Sequence, residues 1–299
     1  MELNGIFPAL TTPYAPDGSV SVSGVKRNIS LYNKTAVAGY VALGSTGEAV
    51  MLSRQEADSV LSAVAESAAP GKILIAGTGA ESTAETIART KHAAALGYQI
   101  ALVKTPYYYK PFYRPEVYIR HYRAVADASP IPVLLYSVPQ FTGITLETAE
   151  ILALSEHPNI LGIKDSSGSI QRIVEVVAGA PARFQVLTGG APVLYPALTV
   201  GARGAILALA DAFPEKCAEV HQLFGQGKHE EARELQLLLA QASKRIVSEN
   251  GLGGLKYAME LRGYHGGDPR LPLLPLREEE NKKHIESMVG KLEPARARV

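Results

Sequence analysis

Eight short apolar runs with helical patterns between them predict an α/β chain, a (β/α)8 TIM barrel carrying a C-terminal helical appendage. The runs cover residues 5–10, 39–43, 73–76, 100–103, 133–136, 160–163, 184–187 and 205–209. Most are continuously apolar rather than alternating, as parallel strands become when both faces are covered. Strands and helices alternate once per unit, which favours a closed barrel over an open sheet.

The segments between the runs carry helix signals. Ser53-Arg54-Gln55-Glu56 and Ser82-Thr83-Ala84-Glu85 both fit a capping box, in which serine and glutamate satisfy orphan amides reciprocally. Gly71 and Gly97 fall where helices end and the next strand begins. Pro115 opens the fourth helix, and Pro158 precedes the sixth strand. After the eighth run, helical patterns cover 214–224, 229–247 and 255–261; a Pro-rich stretch at 268–275 precedes a charged helix over 278–292. The expected division is a catalytic barrel over residues 1–225 and a helical region over 226–299.

Composition narrows the function classes. The chain of 299 residues is 46% hydrophobic, enough for a large core, and its net charge of +1 gives no footprint for nucleic acid or an anionic membrane. The one cysteine, Cys217, excludes an intramolecular disulfide and a cysteine-based metal cluster within one chain. Met1-Glu2-Leu3-Asn4-Gly5 lacks a basic n-region and an apolar h-region, and no run approaches the ~20 residues that span a bilayer. A cytoplasmic protein is the expectation.

In such barrels the active site forms at the C-terminal ends of the strands. Those ends read Thr11-Thr12-Pro13, Gly44-Ser45-Thr46-Gly47-Glu48, Gly77-Thr78-Gly79, Thr105-Pro106-Tyr107-Tyr108-Tyr109, Tyr136-Ser137-Val138-Pro139, Lys164 and Thr188-Gly189-Gly190. One lysine among hydroxyls, phenols and glycine amides suits a small anionic carbonyl compound. The sixth run, Ile160-Leu161-Gly162-Ile163, stops abruptly on Lys164. An ammonium there is costly unless paired or deprotonated, and a neutral amine attacks ketones to form an imine. The plain alternative is that Lys164 snorkels to water or pairs with the adjacent Asp165.

Other chemistries fit less well. His229-Glu230-Glu231-Ala232-Arg233 lacks the second histidine of a zinc helix, and the seven histidines show no ligand spacing, so no metal is expected. Gly77-Thr78-Gly79-Ala80-Glu81-Ser82 begins like a dinucleotide loop but lacks its last glycine. Gly189-Gly190 could seat a phosphate, but no basic residue stands nearby. No organic cofactor is expected.

Four strand-end motifs, Gly44-Ser45-Thr46-Gly47-Glu48, Thr105-Pro106-Tyr107-Tyr108, Tyr136-Ser137-Val138-Pro139 and Gly162-Ile163-Lys164-Asp165, occur in this order. Together they resemble the pyruvate-dependent class I aldolases of the dihydrodipicolinate synthase/N-acetylneuraminate lyase family, over nearly the whole chain. The resemblance implies that Lys164 forms a Schiff base with a 2-oxo acid such as pyruvate and that Tyr136 shuttles protons. It implies a hydroxyl relay of Thr46, Tyr136 and Tyr108, the last reaching in from a neighbouring subunit. Ser45 and Thr46 would hold the substrate carboxylate, and Gly189 and Ile206 would line the pocket beside the imine. It further implies a homo-oligomer, usually a tetramer built as a dimer of dimers.

Within that family, synthases usually carry an arginine for the semialdehyde carboxylate where this chain has Phe141. Phenylalanine offers a carboxylate no bidentate contact. The runs Glu156-His157-Pro158-Asn159-Ile160 and Lys164-Asp165-Ser166-Ser167-Gly168 look closer to the 4-hydroxy-2-oxoglutarate aldolases, with Ser166 touching the distal part of the substrate. Thr46, by contrast, is the residue type of the synthases. Three readings result: an aldolase splitting 4-hydroxy-2-oxoglutarate into pyruvate and glyoxylate, a dihydrodipicolinate synthase condensing pyruvate with aspartate semialdehyde, and a catalytically silent barrel that binds a small acid.

Overall fold

The computed structural model describes residues 1–293. Eight parallel strands, β1 (Gly5–Pro8), β2 (Gly39–Ala42), β3 (Ile73–Gly77), β4 (Ile100–Lys104), β5 (Val133–Ser137), β6 (Ile160–Asp165), β7 (Gln185–Thr188) and β8 (Gly204–Leu207), follow one another around a TIM barrel. Ladders join β2 through β8 in sequence and β8 back to β1. The remaining seam between β1 and β2 is held by an Ala9–Val41 bridge and by the Leu10 amide donating to the Val41 carbonyl at 2.9 Å.

Side chains alternate across these strands, so each strand supplies two cores. Phe7, Val41, Ile75, Leu102, Leu134 and Ile206 fill the barrel interior. Their neighbours, such as Val103, Val133, Leu135 and Ile163, pack outward against the helices. Burial on both faces is why the runs read as unbroken apolar sequence.

One irregularity decides what β6 presents. Val133 pairs with Ile160 but Leu134 pairs with Gly162, so Leu161 is an extra residue on β6. Strict alternation from the outward Ile160 would turn Lys164 outward. The bulge reverses the parity and turns it inward, in register with Tyr136. A Cβ on Gly162 would lie 2.0 Å from the Gln185 carbonyl oxygen, so only glycine lets β7 close on the strand here.

Helices α1 (Val22–Tyr32), α2 (Arg54–Ser67), α3 (Thr83–Ala95) and α4 (Pro115–Ala128) follow β1 to β4. The short α5 (Pro139–Thr142) and α6 (Thr148–Ser155) follow β5, and α7 (Ile170–Gly179), α8 (Leu194–Thr199) and α9 (Pro214–Gly225) complete the ring. The capping box at Ser53 and Glu56 forms in full. At α3 only half of it does: Ser82 accepts from the Glu85 amide, while the Glu85 carboxylate turns to Arg89 at 2.8 Å. An ion pair one turn away has taken the glutamate from the cap.

Beyond the ring lie α10 (His229–Ser243), which runs into a π-helical turn at Lys244–Ser248, then α11 (Gly251–Leu261) and α12 (Glu279–Leu292). Leu239, Ile246, Leu255, Met259 and Ile285 on these elements share one apolar cluster with Ile6, Tyr32 and Phe213 of the barrel. Burying each such side chain contributes about 1.5–3 kcal/mol before entropy is counted. α11 begins at Gly251, four residues ahead of the 255–261 pattern, because its first turn carries the glycines Gly251, Gly253 and Gly254. A Cβ on Gly253 would lie 2.7 Å from the Leu274 carbonyl oxygen, so tertiary packing selects residues that helix propensity disfavours.

Candidate active site

β5 and β6 place Tyr136 and Lys164 side by side at the C-terminal mouth. Both are buried, and the Lys164 Nζ lies 4.3 Å from the centre of the Tyr136 ring. Among the described residues Lys164 makes no hydrogen bond and no ion pair. The adjacent Asp165 faces the other way, as successive strand residues must. It forms a 2.7 Å ion pair with Arg172 of α7 and accepts the Ser167 amide at 2.6 Å. The Lys164–Asp165 pair weighed from sequence therefore does not form. An amine at the barrel mouth, beside a phenol and bound to no acceptor, is placed to attack a carbonyl.

Ser45 and Thr46 are half-buried in the loop after β2, and the Ser45 Oγ stands 3.4 Å from the Tyr136 hydroxyl. Thr46 makes no side-chain bond to Tyr136 among the described residues. The amides of Ser45 and Thr46 donate to no protein acceptor among those residues, so two N–H groups are free for an anion. Ser166, Gly189 and Lys164 converge: a Cβ on Gly189 would sit 1.8 Å from the Ser166 Oγ and 3.2 Å from the Lys164 Cε. Ile206 lies wholly buried in the barrel interior with Tyr136 and Leu187. Tyr108 is not brought to the others. It is 71% exposed, edge-on to Tyr109, and points out of its own barrel.

The loop of Ser45 and Thr46 is tied down by Glu48, whose φ of +57° is left-handed and costly for a residue with a Cβ. The buried Glu48 carboxylate meets the Lys256 ammonium of α11 at 2.8 Å and accepts the Arg270 amide at 2.8 Å. Lys256 also donates to the carbonyls of Thr12 and Asp268, and the Thr12 hydroxyl donates to the Gly47 carbonyl at 2.6 Å. Burial pushes the Lys256 ammonium below its usual range, and Glu48 opposes the shift. Arg270 adds a two-pronged pair with Glu56, which holds that carboxyl down at about 2.

Three groups near the site escaped the reading of the sequence. Lys256 stands out only in three dimensions, since Glu48 is 208 residues away. Asp211, just beyond β8, is completely buried; burial holds its carboxyl well above the usual range, against the opposing influence of the Tyr32 hydroxyl and the Lys164 charge. Lys104 could have been found, because the run Ile100-Ala101-Leu102-Val103 ends on a lysine just as β6 does. A cavity of about 290 Å³ is lined by Lys104, Glu81, Tyr107, Ser45 and Tyr136, among others. Among the described residues no three His, Cys, Asp or Glu side chains gather to hold a metal ion, and no helix is long and apolar enough to cross a membrane.

Known proteins are similar to this chain in sequence and fold. The family model for the dihydrodipicolinate synthetase family matches residues 2–291. A 4-hydroxy-tetrahydrodipicolinate synthase of Methanothrix thermoacetophila is 38% identical over 283 residues, covering 93% of this chain and 94% of its own. A probable mitochondrial 4-hydroxy-2-oxoglutarate aldolase of Emericella nidulans is 37% identical, covering 92% and 91%. The crystal structure of the dihydrodipicolinate synthase of Acinetobacter baumannii, complexed with pyruvate, superposes with a TM-score of 0.91 at 31% identity, over 97% of this chain and 99% of that one. The chain belongs to the dihydrodipicolinate synthetase family, and it is an enzyme of the class I aldolase and synthase type that this family comprises.

Proposed function

We propose that the chain is a lysine Schiff-base aldolase that splits 4-hydroxy-2-oxoglutarate into pyruvate and glyoxylate. The observation that carries the imine chemistry is Lys164, buried and without a counter-charge beside Tyr136. The substrate's C1 carboxylate takes the free amides of Ser45 and Thr46, and the Lys164 amine adds to C2. Tyr136, close to Ser45, passes the proton that lets the carbinolamine lose water. The C4 hydroxyl then gives up its proton, the C3–C4 bond breaks, and its electron pair moves through C3 to the iminium nitrogen. Glyoxylate leaves. Protonation of the enamine at C3 and hydrolysis release pyruvate and the free lysine.

The choice of aldehyde rests on Phe141, 68% exposed in α5, where a synthase would present an arginine. Ser166, against Gly189 and Lys164, is placed for the substrate's distal end.

A second reading, synthesis from pyruvate and aspartate semialdehyde, draws on Thr46 and on the names of the synthase relatives. It also draws on Lys110, which brings its Nζ within 2.9 Å of a Cβ built on Gly143 at the end of α5, a cation for a second carboxylate. Tyr108, Tyr109 and Phe112 form an exposed aromatic loop, which we assign to contact with a second copy of the chain in a dimer or tetramer. That contact would bring Tyr108 into the relay with Tyr136 and Thr46.

Borohydride reduction with pyruvate, followed by peptide mapping, tests the imine; an adduct on Lys164 is expected. Coupled assays then compare pyruvate release from 4-hydroxy-2-oxoglutarate with consumption of aspartate semialdehyde. Turnover of the semialdehyde alone would install the second reading. A folded sample with neither adduct nor turnover would leave the small-acid-binding barrel.

A further inference from the structure

Three successive strands deliver one inward row at the barrel mouth: Lys104 of β4 pairs in register with Tyr136, and Tyr136 with Lys164. The first lysine of the row behaves unlike the last. Its Nζ leaves the barrel axis, crosses Gly79 and meets the Glu81 Oε1 at 3.3 Å, 4.6 Å from the centre of the Tyr107 ring. A Cβ on Gly79 would fall 2.6 Å from the Lys104 amide nitrogen and 2.9 Å from its Cγ, so the crossing requires glycine there.

The other carboxylate oxygen of Glu81 has a separate task. It accepts the backbone amides of both Tyr107 and Tyr108, each at 2.9 Å. These are the only acceptors those two N–H groups have among the described residues. Burial raises the Glu81 carboxyl, but the amides of Tyr108 and Tyr107 together with Lys104 outweigh it and leave it below its usual value, so it is ionised at neutral pH. Lys104, 17% exposed at its side chain, has Glu81 as its one ion-pair partner among the described residues. Each charge holds the other in place, and among the described residues neither bonds to Lys164.

We infer that Glu81 is a positioning residue, locked by Lys104, that fixes the backbone at Tyr107 and Tyr108 and thereby aims the Tyr108 phenol. The functional part rests on the relay role proposed above for Tyr108. The clamp acts on two amides of a loop whose outer side is otherwise open: Tyr108 and Tyr109 are 71% and 59% exposed. A misplacement of a proton-relaying group by even ~1 Å can cost up to about 100-fold in rate, so such a clamp acts on turnover rather than on affinity for the 2-oxo acid.

Glu81→Ala, Glu81→Gln and Lys104→Met in the full chain test this by two independent readouts. Amide hydrogen exchange reads the clamp directly. In Glu81→Ala the amides of Tyr107 and Tyr108 should exchange at least about tenfold faster, with α2 and α3 unchanged. The rate of pyruvate imine trapping at saturation should fall about tenfold, with the half-saturating pyruvate concentration within about twofold. Glu81→Gln keeps an acceptor oxygen and should recover most of both; Lys104→Met, which frees the carboxylate, should fall between. Tyr108→Phe combined with Glu81→Ala should be no slower than Tyr108→Phe alone. Wild-type exchange at Tyr107 and Tyr108 in Glu81→Ala would overturn the clamp. Fast exchange with undiminished trapping would overturn its role in positioning Tyr108. If wild-type protein traps no pyruvate, the aldolase reading fails, and exchange still decides the clamp.

Discussion

Two lysines of this chain are buried to nearly the same degree, 4% exposed for Lys164 and 1% for Lys256, and each lies over a tyrosine ring, at 4.3 and 4.5 Å. They differ in what surrounds the nitrogen. Lys256 has the Glu48 carboxylate at 2.8 Å and two carbonyls, every one an acceptor that wants an ammonium. Lys164 has none of these among the described residues. Equal burial therefore accompanies opposite surroundings, one nitrogen saturated with acceptors and the other with none. Lys256 is held as a strut for the loop of Ser45 and Thr46, and Lys164 is left without acceptors, which is why it is the proposed nucleophile.

Replacing each lysine should break the molecule in different ways. Lys164→Ala removes the attacking nitrogen, so turnover should fall by about 1,000-fold or more and the borohydride adduct should vanish. The melting temperature should hardly move, because no bond is lost; adduct on any other lysine would sink the assignment. Lys256→Met leaves the Glu48 carboxylate buried and unpaired and should cost about 3–5 kcal/mol of stability, read by urea unfolding. A loss under about 1 kcal/mol would mean that the pair is not the strut described.

Tyr136→Phe keeps the ring against Lys164 but deletes the hydroxyl near Ser45. Imine formation should slow by about 100-fold in a folded protein, and a wild-type trapping rate would remove the proton-transfer role.

The smallest effect sharpens the comparison through Asp211, whose protonation decides whether Lys164 has a counter-charge. Its folded value is raised above 3.8, so above that pH the native chain holds a proton that the unfolded chain gives up. Stability then declines as pH rises through the window between the two values, by up to about 1.4 kcal/mol per pH unit. Asp211→Asn removes this slope, so its advantage in melting temperature should be larger at pH 8 than at pH 5. An advantage equal at both would show an ionised Asp211, a counter-ion for Lys164.

The barrel was legible because it repeats a simple pattern, and the candidate residues because they stand at strand ends. Continuous apolar runs announced β1 to β8, and residues at strand ends drew attention to Ser45, Tyr136, Lys164 and Gly189. Gly189, read as a pocket-lining position, has Ser166 and Lys164 filling the space a side chain would need. Lys104 repeats the signal of Lys164 but falls between its apolar run, which ends at Val103, and the strand-end motif, which starts at Thr105. Glu48 and Lys256 could not be matched, since no local pattern links residues of two distant segments. The half-formed cap at Ser82 has the same origin, a nearby arginine competing for Glu85.

Sequence alone determined the element types, their order and the chemical class of the mouth, because burial periodicity and residue chemistry are local properties. Tertiary structure decided which way Lys164 points. An extra residue at Leu161 shifts the pairing of β6 against β5, and counting residues along one strand gives the opposite face. Pairing register belongs to two strands together, and so does the difference between a lysine turned to the helices and one turned into the barrel mouth.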